Sequence, residues 1–192
     1  MATFISHSPA ETESLGETWG RSAAGGLVIG LSGDLGTGKT QLVKGLARGL
    51  GFTGRVSSPT FALVNIYEGG RLPLFHLDLY RLDTADQIIP AGLEEYLQPC
   101  GVTVIEWAER WFGPRSTVHS PQSAVLSSRS QVSSLKSQTQ RPTSNVQRST
   151  MHDPQATGHD QHGGFHGPRL FRVTLETISE TERRISYEDS GA

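Results

Sequence analysis

Cysteine is almost missing: Cys100 is the only one in 192 residues. No internal disulfide can form, and a reducing, cytoplasmic setting is the expectation. An excess of one charge is missing too. The 17 Lys and Arg against 19 Asp and Glu leave a net charge of −2, which gives no global argument for a nucleic-acid or membrane-surface partner. No apolar run nears the roughly 20 residues that cross a bilayer. Met1-Ala2-Thr3-Phe4-Ile5-Ser6-His7 lacks the basic stretch and apolar run of a secretory leader. The expectation is therefore a soluble chain without a membrane partner. At this length one domain with a real core is also expected.

Against these absences stands Gly33-Asp34-Leu35-Gly36-Thr37-Gly38-Lys39-Thr40, which meets the phosphate-loop pattern G-x-x-x-x-G-K-[ST] at every fixed position. Its flanks carry as much weight as the pattern. Leu27-Val28-Ile29-Gly30-Leu31 reads as a buried strand leading in. Leu42, Leu46 and Leu50, with Val43 and Ala47 beside them, form one face of a helix leading out, and Gly51 stops it. Strand, glycine loop and helix aim backbone N–H groups and a helix N-terminus at an anion. Lys39 then reaches the β- and γ-phosphates as an exposed loop lysine, and the Thr40 hydroxyl meets Mg²⁺. No Asn-Lys-x-Asp element occurs in the chain. The guanine-reading carboxylate of GTPases is therefore missing, and ATP is the expected nucleotide.

Further elements surround this core. Ala2 to Ser6 reads as an edge strand. Ser8-Pro9-Ala10-Glu11 combines an N-cap, a proline at the first helical position and a capping-box glutamate. A helix over 9–23 follows, with Leu15, Trp19 and Ala23 on one face. Beyond Ser57-Ser58-Pro59-Thr60, a strand is predicted from Phe61 to Tyr67, and Glu68-Gly69-Gly70-Arg71 turns it back. Leu72 to Tyr80 alternates, with Phe75, Leu77 and Leu79 on one face. His76, Asp78 and Tyr80 line the other, a face turned to water or to a site. Asp83-Thr84 starts a short helix, interrupted at Pro90 and Gly92, and another short helix is expected over Leu93 to Leu97. Gly101-Val102-Thr103-Val104-Ile105 forms a second buried strand. It ends in Glu106, where an acidic residue downstream of a phosphate loop is expected to serve as the Walker B carboxylate.

Composition changes after Gly113-Pro114. From 115 to 168 the chain is Ser, Gln, Thr, Arg and His without a sustained apolar period, too little to offset the entropy of ordering it. His152, His159, His162 and His166 lie here beside Asp153 and Asp160, at spacings that match no compact metal set. Alternation resumes with Phe171, Val173 and Leu175, then Ile185 and Tyr187, a second hairpin. The expected organisation is a core over 1–114, a disordered insertion over 115–168 and a hairpin over 169–192 that completes the same domain.

The candidate site joins the loop Gly33–Thr40 to Asp78 and Glu106, with Ser58 and Thr60 in a nucleotide-sensing loop. Each has a plainer reading. Asp78 also suits a solvated strand residue, Glu106 a partner for Arg110, and Ser58 and Thr60 a turn beside proline. Trp107 suits core better than ligand. No arginine finger is evident near the site, so slow unassisted hydrolysis is expected. A small-molecule kinase shares the loop but needs an arginine-rich lid, for which Arg55, Arg71 and Arg81 offer little. A nucleotide-dependent binding module is weakly disfavoured by Glu106.

Four segments in order, Gly33 to Thr40, Ser58-Pro59-Thr60-Phe61, His76-Leu77-Asp78-Leu79-Tyr80-Arg81 and Ile105-Glu106-Trp107-Ala108-Glu109-Arg110, resemble the bacterial TsaE (YjeE) family. The resemblance covers about residues 8–110, with the last hairpin similar in character. It departs over 115–168, where that family passes quickly to its final strands. It implies an α/β fold, a P-loop NTPase-like three-layer sandwich with a mixed sheet including antiparallel hairpins. It also implies a small ATPase needed for N6-threonylcarbamoyladenosine in tRNA, acting with TsaB and TsaD proteins and meeting tRNA through that complex. Lys39 is then carried onto the phosphates, and Thr40 and Glu106 onto Mg²⁺. Asp78 becomes a catalytic or metal-linked carboxylate, and Ser58 to Phe61 a switch-like loop.

Overall fold

The computed structural model describes residues 1–82, 85–97, 100–113 and 169–189. The insertion expected over 115–168 and the helix start expected at Asp83-Thr84 lie outside them. In chain order the elements are β1 (Ala2–Ser6), α1 (Pro9–Ser22), β2 (Leu27–Ser32), α2 (Lys39–Gly49), β3 (Val64–Tyr67), β4 (Leu74–Asp78) and α3 (Ala85–Ile88). Two 3₁₀ turns follow (Ile89–Ala91 and Leu93–Tyr96), then β5 (Val102–Glu106), α4 (Glu109–Phe112), β6 (Arg169–Thr177) and β7 (Arg183–Asp189).

All these strands join one sheet, in the order β1-β7-β6-β2-β5-β4-β3. The middle is parallel, β6 on β2, β2 on β5 and β5 on β4. Antiparallel pairs close both edges, β3 on β4 at one and β6–β7–β1 at the other. Every residue of β5 is buried, as a strand covered on both faces requires, which is why its sequence runs apolar without alternation. On one face α1 and α2 pack over Ile29, Leu31, Val104 and Val173. On the other, the short helices and turns cover Val28, Leu77, Ile105 and Leu170, with Ile88, Leu93 and Phe112 as their inward residues. The result is helix, mixed sheet, helix.

The start of α1 forms as its sequence requires. Ser8 Oγ accepts from the Glu11 N–H at 3.2 Å, and Glu11 Oε2 accepts from the His7 N–H at 2.7 Å. Of the face expected for it, Ala23 is buried and Leu15 and Trp19 pack against the core, but small residues share the packing. Within Pro9–Ser22, Thr12, Gly16 and Gly20 are the buried residues, because this helix meets α2 backbone to backbone. A Cβ on Gly16 would lie 2.2 Å from Leu42 O, and one on Gly45 would lie 1.9 Å from Glu13 O. Leu15 and Trp19 are only partly buried; the Trp19 ring packs edge-on to Phe171 and Tyr187 of the C-terminal hairpin.

A second difference concerns β3, which begins at Val64 rather than Phe61. The Leu63 N–H donates to Pro59 O at 2.7 Å, and Leu63 takes φ 66°. Phe61 therefore sits in a tight turn, 85% exposed. The chain is pulled into this turn next to the end of β4, where its side chains become useful.

Candidate functional site

The phosphate loop spans the gap between β2 and the first turn of α2, at the carboxyl edge of the parallel strands. Gly36 takes φ 80°, with open space where a Cβ would point, so the main chain there can approach an anion. Gly33 is constrained differently: a Cβ would lie 2.2 Å from Leu175 O of β6. Thr37 is buried and its hydroxyl donates to Asp34 O at 2.9 Å, which ties the loop from inside. Leu35 projects from the tip, 77% exposed, so its share in a phosphate cradle is its backbone.

Lys39 is not the exposed lysine expected from the sequence. It is 5% exposed, and its Nζ donates to Gly33 O at 2.6 Å and Asp34 O at 2.8 Å. The ammonium also lies 4.0 Å from the centre of the Trp107 ring. Burial pushes its pKa below the ordinary 10.5, against the raising influence of Glu106, Glu109, Asp78 and Asp34. The lysine folds back on its own loop, in reach of the anion position that the glycines leave open.

At the end of β5 the Thr40 hydroxyl donates to Glu106 Oε1 at 2.8 Å. His76, fully buried on β4, places Nε2 at 2.9 Å from the same oxygen. Glu106 thus meets Thr40 and His76 rather than Arg110, whose guanidinium donates to Leu82 O at 3.1 Å. One hydroxyl and one carboxylate side by side at a helix N-terminus suit Mg²⁺, a hard cation that keeps few protein ligands and takes phosphate oxygens for the rest. Among the described residues no group of three or more His, Cys, Asp or Glu is placed to hold an ion.

Asp78 ends the neighbouring strand, in register with Glu106, and is 2% exposed rather than solvated. Its Oδ2 accepts from Ser58 Oγ at 2.5 Å and from Thr60 Oγ1 at 2.6 Å, and its Oδ1 accepts from the Tyr80 N–H at 2.9 Å. Ser58 and Thr60 are therefore gathered onto Asp78, as Thr40 is onto Glu106. No described hydrogen bond joins the two groups directly. Strand pairing does: the Leu79 N–H donates to Glu106 O at 3.1 Å.

Two residues received no site role from the sequence. His76 could be found from its alternation, since it shares a strand face with Asp78. Trp107 was read as core, and its contact with Lys39 depends on φ 61° at the turn after β5, for which no sequence signal exists. Leu63 and Trp107 are the non-glycine residues of positive φ among those described. Each borders the site, where local backbone strain is often kept.

Strand, glycine loop and helix in this order, with an acidic strand end on the adjacent parallel strand, make this a P-loop protein of the α/β class. The family model described as "Threonylcarbamoyl adenosine biosynthesis protein TsaE" matches residues 6–141. The chain belongs to that family. Relatives named "tRNA threonylcarbamoyladenosine biosynthesis protein TsaE" include one from Synechocystis, 50% identical over 104 residues, which are 49% of this chain and 64% of the relative. One from Bacillus subtilis is 45% identical over 52% of this chain and 62% of the relative. One from Treponema pallidum is 44% identical over 55% of this chain and 78% of the relative. The match to the first two thus spans less than two thirds of their length. Among solved structures, Bacillus subtilis YdiB superposes with a TM-score of 0.60 at 25% identity, covering 99% of this chain and 86% of that one.

Proposed function

We propose that this chain binds ATP with Mg²⁺ at the phosphate loop, hydrolyses it slowly alone, and serves threonylcarbamoyladenosine formation in tRNA together with TsaB and TsaD proteins. The observation that carries the reading is the 2.8 Å hydrogen bond between Thr40 and Glu106, 66 residues apart in sequence. A loop threonine and a strand-end carboxylate have that proximity in common with the metal pair of P-loop hydrolases. The relatives' names supply the pathway, and the missing Asn-Lys-x-Asp element favours ATP over GTP.

In this reading the backbone of Gly33 to Lys39 cradles the phosphates. Lys39 exchanges its bonds to Gly33 O and Asp34 O for the β- and γ-phosphate oxygens, a charge-assisted replacement for two neutral acceptors. Thr40 and Glu106 would hold Mg²⁺, whose charge would be supplied beside the transferred phosphoryl group. Glu106 also accepts a hydrogen bond from the attacking water. Asp78 belongs to the catalytic group through the loop it carries: Ser58 and Thr60 can turn from it towards the γ-phosphate. The arginines near the site stack on its aromatic residues, Arg81 over the Phe61 ring at 4.7 Å and Arg110 over Trp107 at 5.3 Å. A docking partner that orders the Ser58–Phe61 turn can then raise the rate, by about 10³ where a full finger equivalent is supplied.

A cytoplasmic setting belongs to the same proposal. Cys100 is exposed and unpaired, and among the described residues no helix is long and apolar enough to cross a membrane.

The test is the modified-adenosine content of tRNA in cells depleted of the protein, complemented by the parent chain or by Lys39→Ala. Depletion should lower the modification, the parent should restore it and the variant should not. Unchanged modification on depletion contradicts the pathway. Full rescue by Lys39→Ala contradicts the nucleotide requirement.

A further inference from the structure

His76 is a polar ring in the interior: it is wholly buried and packed near Tyr67, with ring centres 6.3 Å apart. One nitrogen, Nε2, meets Glu106 Oε1 at 2.9 Å, and the other, Nδ1, is buried without a hydrogen-bond partner. An ionised carboxylate only accepts, so against it Nε2 carries the proton and donates. The fold therefore keeps an unsatisfied nitrogen in its interior, a cost in stability that an apolar side chain of similar volume would avoid. Sites that break a packing rule without a compensating gain in packing are where function is to be sought.

We infer that His76 is a positioning residue for Glu106: its Nε2–H pins Oε1 from behind while the Thr40 hydroxyl pins it from the side, so that Oε2 is the oxygen held towards the phosphate loop. The inference rests on the Mg·ATP reading above and deepens it. Two donors on one carboxylate oxygen fix both the rotamer and the roll of the carboxylate plane, whereas one leaves the plane free to turn. Thr40 divides its hydroxyl between two tasks, its hydrogen on Glu106 and its oxygen towards the metal, so its position follows the ion as well as the carboxylate. His76 has no such conflict. It sits on β4, directly beside β5 in the parallel part of the sheet, and both strands are buried there. Its ring thus acts as a rigid spacer delivered by the sheet, as outer partners of metal-linked groups commonly are.

The test compares His76→Leu and His76→Gln with the parent. Three readouts are taken: ATP affinity with Mg²⁺ and with EDTA by calorimetry, the Mg²⁺ concentration at half-maximal hydrolysis, and the melting temperature. His76→Leu removes an orphaned nitrogen but also a donor to buried Glu106, so its melting temperature should stay within a few degrees of the parent. It should need about ten times more Mg²⁺ and lose about tenfold in kcat, the usual scale for an outer partner of a metal ligand, while EDTA-state affinity stays at the parent value. His76→Gln, whose Nε2 can reach the position of the histidine Nε2, should recover most of the metal dependence. A folded His76→Leu protein with parental Mg²⁺ dependence and kcat overturns the inference. So does a folded His76→Gln protein as impaired as the leucine variant, because volume and not the hydrogen bond would then matter. If His76→Leu does not fold, the Mg²⁺ dependence of folded His76→Gln decides alone, retained for the inference and lost against it. Failure of the parent itself to bind ATP in a Mg²⁺-dependent way overturns the underlying reading, and is seen before any variant is compared.

Discussion

Glu106 and Asp78 are two carboxylates at the ends of adjacent parallel strands, in direct register and both almost fully buried. Their surroundings nevertheless assign them different work. Glu106 turns to the phosphate loop, where one oxygen takes both Thr40 and His76. Asp78 turns to the Ser58–Phe61 turn and gives one oxygen to its two hydroxyls, while the other accepts the backbone N–H of Tyr80 just beyond its own strand. Position at a strand end brings both carboxylates to one edge of the sheet, and the segment packed against each decides which side chains it gathers, Thr40 and His76 or Ser58 and Thr60.

Isosteric amides should break this pairing unequally. Glu106→Gln keeps a hydrogen-bonding side chain but loses the charge proposed to meet the metal and the water. Its kcat for ATP should fall about 10³-fold with affinity within a few-fold of the parent. Rapid hydrolysis by that variant would move the catalytic carboxylate to Asp78. Lys39→Ala comes next: loss of a charge-assisted contact to phosphate should weaken ATP binding about 100-fold. Its effect on folding is a balance. Two carbonyls lose their donor, while a desolvated ammonium with a lowered pKa is removed, so the melting temperature should move by only a few degrees.

Asp78→Asn should act through the turn. The amide is a weaker acceptor for Ser58 and Thr60, and the partner-stimulated rate should drop about tenfold, more than ATP affinity does. Thr60→Ala removes one of the two hydroxyls and should cost a few-fold in the same rate. An unchanged stimulation ratio in both would separate the turn from the chemistry. The smallest effect is expected from excising 116–166. We propose that this segment contributes few core contacts, so the shortened protein should bind ATP as the parent does, with closure entropy slightly in its favour. A fall of about 10 °C or more in melting temperature would contradict that proposal.

The parts of this picture legible in the sequence are those with a local signature. Gly33 to Thr40, the apolar runs into and out of it, the Ser8 cap and the acidic end of β5 each follow from a pattern a few residues long. What was not legible depends on two distant segments meeting. The small-residue face of α1 repeats at every fourth position, Thr12, Gly16 and Gly20, but carries no apolar side chains to announce it, and it matters only where it meets Gly45 and Gly49 of α2. The burial of Lys39 needs Trp107 from 68 positions away in the chain. His76 was on the correct face, yet its role depends on which oxygen of Glu106 it meets. The start of β3 was misread because Pro59 and Leu63 close a turn whose apolar Phe61 imitates strand composition.

The central claim is that the Gly33–Thr40 loop, completed by Glu106, is a Mg·ATP site. Calorimetric titration of ATP into the full chain, with Mg²⁺ and then with EDTA, tests it most directly. The expected result is saturable one-to-one binding that Mg²⁺ strengthens and that Lys39→Ala abolishes in the same concentration range. Absence of binding by the parent chain, or equal binding by Lys39→Ala, would contradict it.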